Sequence, residues 1–429
     1  MAGMLELRFI RENAAAVRRA IEAKRMPDAL EKLDRLLVLD EEFRVMKREL
    51  EELQAERNAG ARLVGRLKRE GADADESMAA MAALSADVKR LEDRERSLQA
   101  QLDELLREIP NPPHESVPYG ESEHDSVVVK EWGAKREFDF APKPHWELLS
   151  ARGWVDFEAG VKVTGAGFPV FKGVGSRLVR ALRSYFLDTL VAAGYVEVAP
   201  PLMVNAASAM GTGQLPDKEG QMYEVTDGFF LIPTSEVPVT NLHRDDILAL
   251  ESLPIKYTAF TPCFRREAGS HGKDVRGLNR IHQFDKVEMV QFVAPSASYD
   301  ALEEMTRQAE GLIEGLGLPY RRLLLCTGDM GFTQAKTYDL ELWSPGQERW
   351  LEVSSVSNME AFQATRLKTR ARPGGAAGKG KTEAVHTLNG SALAFPRTIA
   401  ALVETYQEED GSVRVPEPLR PYLGTDLLP

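Results

Sequence analysis

Cysteine is almost missing from this chain: Cys263 and Cys326 are the only two among 429 residues. Two thiols cannot complete a four-ligand zinc site by themselves. So sparse a usage also gives no disulfide framework, and a reducing, cytoplasmic setting is the simplest reading. Histidine is scarce too, with seven residues and neither an HxxH nor a CxxC spacing, so a structural metal is not expected. No window approaches the ~20 apolar residues that a membrane-spanning helix needs. The N-terminus alternates charged with apolar residues and lacks the apolar run of a secretory signal, so no membrane association is expected. Positive charge is also in deficit, with 54 Lys and Arg against 66 Asp and Glu for a net charge of −12. Non-specific nucleic-acid affinity rests on phosphate neutralisation by Lys and Arg. The balance therefore excludes a uniformly basic binder and leaves room only for a local basic surface. There is no internal repeat of ~20–50 residues. The glycines of Arg372–Lys381 lack the GKS/T ending of a phosphate-binding loop, so that segment reads as a mobile basic loop.

What the chain has is length and a 43% hydrophobic fraction, enough for a sizeable core divided over two or three domains. Residues 28–108 carry apolar steps of three and four. Leu36, Leu39, Phe43, Met46, Leu50 and Leu53 form one seam; Met81, Leu84, Val88, Leu91, Leu98, Leu102 and Leu105 form another, with Glu95 the one polar interruption. Such spacing marks one stripe on each of two long helices. Between them Glu70–Glu76, with a glycine and four acids, predicts a turn, so the pair forms an antiparallel coiled-coil hairpin. A first helix over Ala29–Arg69 would run about 60 Å at ~1.5 Å per residue. The opening Met4–Asn13 and a helix to Arg25 are expected to pack at the base of this arm. Near its tip the charge changes sign: Arg57, Arg62, Arg66, Lys68 and Arg69 stand against the single acid Glu70. A solvated helix face would look the same, but the Glu-rich flanks set this end apart as a phosphate-binding footprint.

Ile109-Pro-Asn-Pro-Pro113 ends the second helix, because proline cannot continue it. The polar stretch that follows reads as a linker over residues 111–136, between an arm of residues 1–110 and a body of residues 137–429. In the body the pattern changes to strands and amphipathic helices, the latter over Arg177–Ala193 and Ser298–Leu316. Strand-like runs are Phe229–Ile232, Tyr257–Phe260, Lys286–Val293 and Tyr338–Trp343. Strands outnumber helices and tight turns follow closely, which predicts an antiparallel sheet flanked by helices and an α+β fold class.

Two of these strands carry chemistry. Phe264-Arg-Arg-Glu267 is followed by Arg280-Ile-His-Gln-Phe284 and then by Glu288, with Gly269, Gly272 and Gly277 between them where the backbone must bend. Residues two apart on a strand share a face. A guanidinium that can fork onto phosphate thus sits beside an acceptor for an exocyclic amine, and Phe284 offers a face for a flat base. Taken alone, the run would also suit an ordinary charged hairpin.

The wording Cys263–Ser270 and Arg280–Glu288 resembles motif 2 of the class II aminoacyl-tRNA synthetases, and of the seryl-tRNA synthetases in particular. Gly194–Pro201 looks like motif 1, which forms the dimer interface in that family and so implies a homodimer. Ile232–Leu242 is similar to the family's serine-recognition segment, Glu352–Asn358 to its metal-bearing strand, and Leu388–Glu404 to its motif 3. Residue by residue, the resemblance implies that Arg265 contacts the α-phosphate of ATP and the serine carboxylate. Arg266, Glu267, Ile281, His282, Gln283 and Phe284 are implied at the nucleotide, with Glu267 on the adenine amino group and Phe284 stacking. Glu352, Val353, Ser354 and Ser355 are implied there too, Glu352 and Ser355 as oxygen ligands of Mg2+. Arg397 would meet the γ-phosphate at a helix N-terminus. Thr234, Ser235, Glu236, Glu288 and Ser391 would line the L-serine pocket, and the basic tip of the arm would grip tRNA(Ser) and also tRNA(Sec). The sequence departs from the family at Val356 and Met359, where cysteines are more common, and at Pro396, which replaces a glycine common in bacterial members. The implied fold is an antiparallel coiled-coil arm on a class II catalytic domain, and the implied activity is ATP-dependent serylation through a seryl-adenylate. A paralogue that loads an amino acid onto a carrier protein, or a non-catalytic scaffold, are the rival readings. The arm argues against the first, and intact Arg265, Glu267, Glu352 and Arg397 argue against the second.

Overall fold

The structure is a computed structural model and describes residues 7–218, 220–268 and 276–429. Gly269 and Gly272 of the hairpin turn lie outside the described residues, as does the start of the Met4–Asn13 segment. The chain divides into two compact units, Glu6–Pro110 and Asn111–Pro429.

The first unit is helical: α1 (Leu7–Glu12), α2 (Ala14–Ala23), α3 (Pro27–Arg69) and α4 (Asp75–Leu106). Proline at the first position of α3 costs nothing, since that N–H has no helical partner. With 43 residues, α3 is about 65 Å long at ~1.5 Å per residue. Met46 and Leu50 of α3 are buried against Val88, Leu91 and Leu98 of α4, and Leu39, Phe43 and Leu53 pack against them. The spacing seen in the sequence is therefore the interface itself. Its polar interruption is accommodated by charge: Lys47 Nζ donates to Glu95 Oε1 at 3.1 Å. Beyond Leu53 the seam loosens, and Leu63 and Met78 are 39% and 37% exposed. At the base, Arg11 of α1 donates to buried Asp40 of α3 at 3.0 Å, and Arg18 of α2 pairs with Asp34.

In the second unit, eight strands among the described residues form one sheet. They are β1 (Val127–Trp132), β2 (Val196–Glu197), β3 (Ile255–Phe264), β4 (Gln283–Val293), β5 (Tyr320–Leu324), β6 (Lys336–Ser344), β7 (Arg349–Glu360) and β8 (His386–Ala394). Their order is β1-β5-β6-β7-β8-β4-β3-β2. Every recorded pairing is antiparallel except β2 with β3. Helices α5 (Val174–Ala192), α6 (Ser298–Gly315), α7 (Phe362–Leu367) and α8 (Phe395–Tyr406) accompany it. Leu182 and Phe186 of α5, Leu302 and Met305 of α6, and Leu402 of α8 share one core with Val287, Met289, Leu340 and Val356 from the strands. Gly194 stops the chain after α5 with φ +90°, a region that L side chains avoid.

Two expectations change. Residues 111–136 do not form a free linker. Asn111 is 1% exposed and donates to the carbonyls of Thr333 and Met359, both at 2.9 Å. Val127–Trp132 is the outermost strand, β1, paired with β5. An edge strand bonds its backbone on one side only and needs no alternating pattern, so the run Val127–Val129 gave no period to read. The basic loop is also more structured than expected. Arg370–Arg372 pairs with Glu383–Ala384, and Arg372 Nε donates to Gly375 O at 2.7 Å, closing a glycine-rich turn between them.

Candidate active site

A cleft of about 510 Å³ opens on the sheet where β3, β4, β7 and β8 meet the start of α8. That size lies in the range of small-molecule sites. Thr234, Glu236, Arg265, Glu267, Ile281, Phe284, Glu288, Glu352, Val353, Ser354, Ser355, Ser391 and Arg397 all line it, although they come from segments up to 163 residues apart (397 − 234). Four expected residues do not line it. Ser235 is fully buried. Arg266 and Gln283 are exposed on the hairpin. His282 lies behind it, stacked on Phe168 at 5.2 Å with Nδ1 3.0 Å from Arg265 O, so its geometry is that of a hairpin support.

One end of the cleft is cationic. Arg265, just past the end of β3, places its guanidinium 5.3 Å from the Phe284 ring centroid, and its backbone N–H donates to His282 O. Glu267 follows with φ +49° and pairs with Arg280. Arg397 sits in the first turn of α8, donating Nε to Asn279 O at 3.0 Å and an NH to Glu352 O at 2.9 Å. A helix N-terminus adds its own positive potential there. Asn279 is held by Gln347, and the neighbouring Leu278 N–H donates to His145 Nε2 at 2.8 Å. On its other nitrogen the same imidazole meets Glu404 of α8 at 2.8 Å. Gly277, with φ +61°, leaves room for this: a Cβ would stand 2.3 Å from His145 Nε2.

The other end is a buried acidic pocket. Glu236 and Glu288 are 6% and 1% exposed, and Asn389 bridges them, donating at 3.2 Å and 3.0 Å. Gln363 from α7 donates to Glu236 at 2.6 Å, Lys286 meets Glu288 at 2.5 Å, and Ser391 reaches Glu288 at 3.4 Å. Burial, and next the charge of Glu288, push the Glu236 carboxyl up to about 7. Two acids thus face one lysine, and Glu236 keeps a share of its proton near neutral pH for want of a second cation. A ligand ammonium would suit these carboxylates, since a buried charge is tolerated only when paired.

Glu352, whose carboxylate stands 3.6 Å from the Arg397 guanidinium, and Ser355 line the cleft from β7. Residues three apart on a regular strand face opposite ways, but the β6–β7 pairing slips at Leu340/Glu341, where Ser354 opposes Leu340 and Glu352 opposes Glu341. This bulge restores both side chains to the cleft face. Nearby Asp339 is raised well above the usual carboxylate range by burial and then by the charge of Glu352, and its Oδ1 lacks a hydrogen-bond partner. Among the described residues no cluster of three His, Cys, Asp or Glu could hold a metal alone. The oxygen set instead suits Mg2+ shared with phosphates and water.

Sequence reading missed Lys286, Asn389, Gln363 and His145. The first two had a signal: each stands two residues before a recognised one, Glu288 or Ser391, and so shares its strand face. Gln363 and His145 reach the site through tertiary packing and had none.

The segment 222–406 matches the tRNA synthetase class II core domain (G, H, P, S and T), which defines the class of catalytic fold. Residues 4–113 match the seryl-tRNA synthetase N-terminal domain. The chain is 53% identical to a serine–tRNA ligase of Caldanaerobacter subterraneus subsp. tengcongensis over 428 residues, covering 99% of each. It superimposes on Pyrococcus horikoshii seryl-tRNA synthetase complexed with ATP with a TM-score of 0.94, 36% identity and 99% of each chain covered. The Naegleria fowleri cytoplasmic enzyme with AMP gives 0.89 at 26% identity, over 100% of this chain and 99% of that one. The chain belongs to the seryl-tRNA synthetase family.

Proposed function

We propose that this protein joins L-serine to tRNA(Ser), and also to tRNA(Sec), in the cytoplasm, using ATP and passing through a seryl-adenylate. The observation that carries the reading is one cleft with two guanidinium groups at one end and two buried carboxylates at the other. The serine carboxylate attacks the α-phosphate and pyrophosphate leaves. The terminal ribose hydroxyl of the tRNA then attacks the adenylate. No side-chain nucleophile is needed, so positioning and charge stabilisation supply the catalysis. Arg265 holds the α-phosphate and the serine carboxylate, and Arg397 holds the γ-phosphate. Glu267, Ile281 and Phe284 bind the adenine. Glu236 and Glu288 take the serine ammonium, with Thr234 and Ser391 beside it. Mg2+ on Glu352 and Ser355 would neutralise phosphate charge when bound.

Arg62, Arg66, Lys68 and Arg69 are exposed near the arm's tip, with Arg57 half-buried. They bind the tRNA backbone by charge and shape. Val191 at the end of α5, Val196 of the short edge strand β2, and Met203 and Phe229 of a separate small sheet are exposed apolar residues that a homodimer would cover. Among the described residues no helix is long and apolar enough to cross a membrane. ATP–pyrophosphate exchange with each amino acid in turn tests the assignment. Exchange driven by serine alone is expected. Exchange driven by glycine or alanine would point to a carrier-loading paralogue, and none at all to a scaffold.

A further inference from the structure

Neither His145 nor Glu404 lines the cleft, and both are fully buried. Glu404 follows Arg397 by seven residues on α8 (404 − 397), close to two helical turns, so both side chains leave one face of the helix. Its carboxyl is taken up by five donors. Oε1 receives the backbone N–H of His145 at 2.8 Å, His145 Nδ1 at 2.8 Å and Gln347 Nε2 at 3.0 Å. Oε2 receives the Ser344 hydroxyl, and the Gly346 N–H at 3.0 Å. The Leu278 N–H can only give, so His145 Nε2 must accept from it at 2.8 Å, which leaves Nδ1 to donate to Glu404. The next residue completes a circuit. Asn279 receives Arg397 Nε on its carbonyl at 3.0 Å, and its side chain donates to Gln347, which returns to Glu404. The path runs from Arg397 through Asn279, Leu278 and His145 to Glu404, and back along α8. A guanidinium has five N–H donors. Arg397 spends one on Asn279 O and one on Glu352 O, and three remain for a ligand in the cleft that it lines.

We infer, resting on the serine-activating reading above, that His145 is a positioning residue: with Glu404 it sets the direction of the Arg397 guanidinium and so serves adenylate formation alone. The γ-phosphate departs with pyrophosphate in the first step, so Arg397 has no phosphate to hold while serine passes to the tRNA. During the first step its aim matters, since a misplacement of about 1 Å at a reacting group can cost ~100-fold in rate. The Asn279 carbonyl sets that aim, and the neighbouring Leu278 N–H fixes the carbonyl's place through the imidazole. Without the ring nitrogen, Leu278 N–H loses its acceptor and the segment carrying the carbonyl can shift.

The test compares two half-reactions of the full-length protein: serine-driven ATP–pyrophosphate exchange, and single-turnover transfer to tRNA(Ser) from added seryl-adenylate. His145→Leu keeps apolar bulk but offers no nitrogen to Leu278 or Glu404. It should lower kcat/KM for ATP in exchange about 30-fold, with the serine KM and the transfer rate each within about threefold of the parent. In an Arg397→Ala background the same change should cost at most about threefold more, because both act through one guanidinium. His145→Gln presents an oxygen to Leu278 and should recover part of the exchange. Gly277→Ala disturbs the circuit from the other side. Its Cβ would stand 2.3 Å from His145 Nε2 and displace the ring with Glu404 intact, so exchange should fall while transfer is spared. Equal losses in both half-reactions, losses that multiply with Arg397→Ala, or unchanged exchange in His145→Leu each overturn the inference. Should His145→Leu fail to fold by circular dichroism, the same readouts on Gly277→Ala and His145→Gln decide. A parent protein without serine-driven exchange would defeat the functional reading itself.

Discussion

In the arm, residues that touch recur at short, regular intervals. In the cleft, contacts span long stretches of chain: Glu236 meets Gln363 across 127 residues and Asn389 across 153. The seam of the arm is apolar, repeats along both helices and tolerates a polar interruption by pairing it with Lys47. The acidic pocket is polar and singular: Asn389 of β8 serves both carboxylates, Gln363 of α7 reaches Glu236, and Lys286 meets Glu288. The comparison teaches that stability in the first region comes from many exchangeable contacts, whereas function in the second rests on a few that have no substitute.

Four substitutions or conditions sharpen that contrast. Arg397→Ala should lower adenylate formation about 10³-fold, the scale of a lost preorganised charge contact. Its tRNA binding and melting temperature should stay near the parent values, as filter binding and calorimetry would report; unchanged exchange would remove Arg397 from the nucleotide. Reversing Arg57, Arg62 and Arg66 to Glu should spare exchange but cut aminoacylation about 100-fold. The salt dependence of tRNA binding should flatten by about three phosphate contacts. Full charging at ordinary salt would mean that the arm is not the RNA-binding element.

Glu236 supplies the next effect. Its carboxyl sits at about 7 in the fold against an ordinary 4.5. An ammonium needs the ionised form, so the serine KM should fall as pH rises from 6 to 8, by up to about tenfold per unit below 7, and Glu236→Gln should flatten the profile. The stability sign is the opposite. Between 4.5 and about 7 the folded state keeps a proton that the unfolded chain has lost. This group's contribution therefore declines as pH rises through that window and levels off above it. The smallest effect belongs to the arm surface: removing Arg94, paired with Glu42 in the open, should cost less than about 1 kcal/mol by thermal melting.

How much was legible follows from the same contrast. The seam of α3 and α4 could be read from spacing because a helix repeats every few residues, and a repeat leaves a trace in composition. The strands β4 and β6 could be read from their apolar runs. Arg265, Glu288 and Arg397 became legible through motif wording, not periodicity. β1 was hidden because an edge strand needs little side-chain pattern. The bulge that turns Glu352 and Ser355 to one face, and the reach of Gln363 into the pocket, are products of packing that no local run encodes.

His145 gives the cationic end of the cleft a mechanical character. One imidazole rivets the returning arm of the hairpin to the helix that carries Arg397, and Asn279, next to the riveted Leu278, receives the Arg397 side chain. The jaw proposed above to close on a triphosphate is consequently cast before any nucleotide arrives, which leaves little ordering to be done on binding.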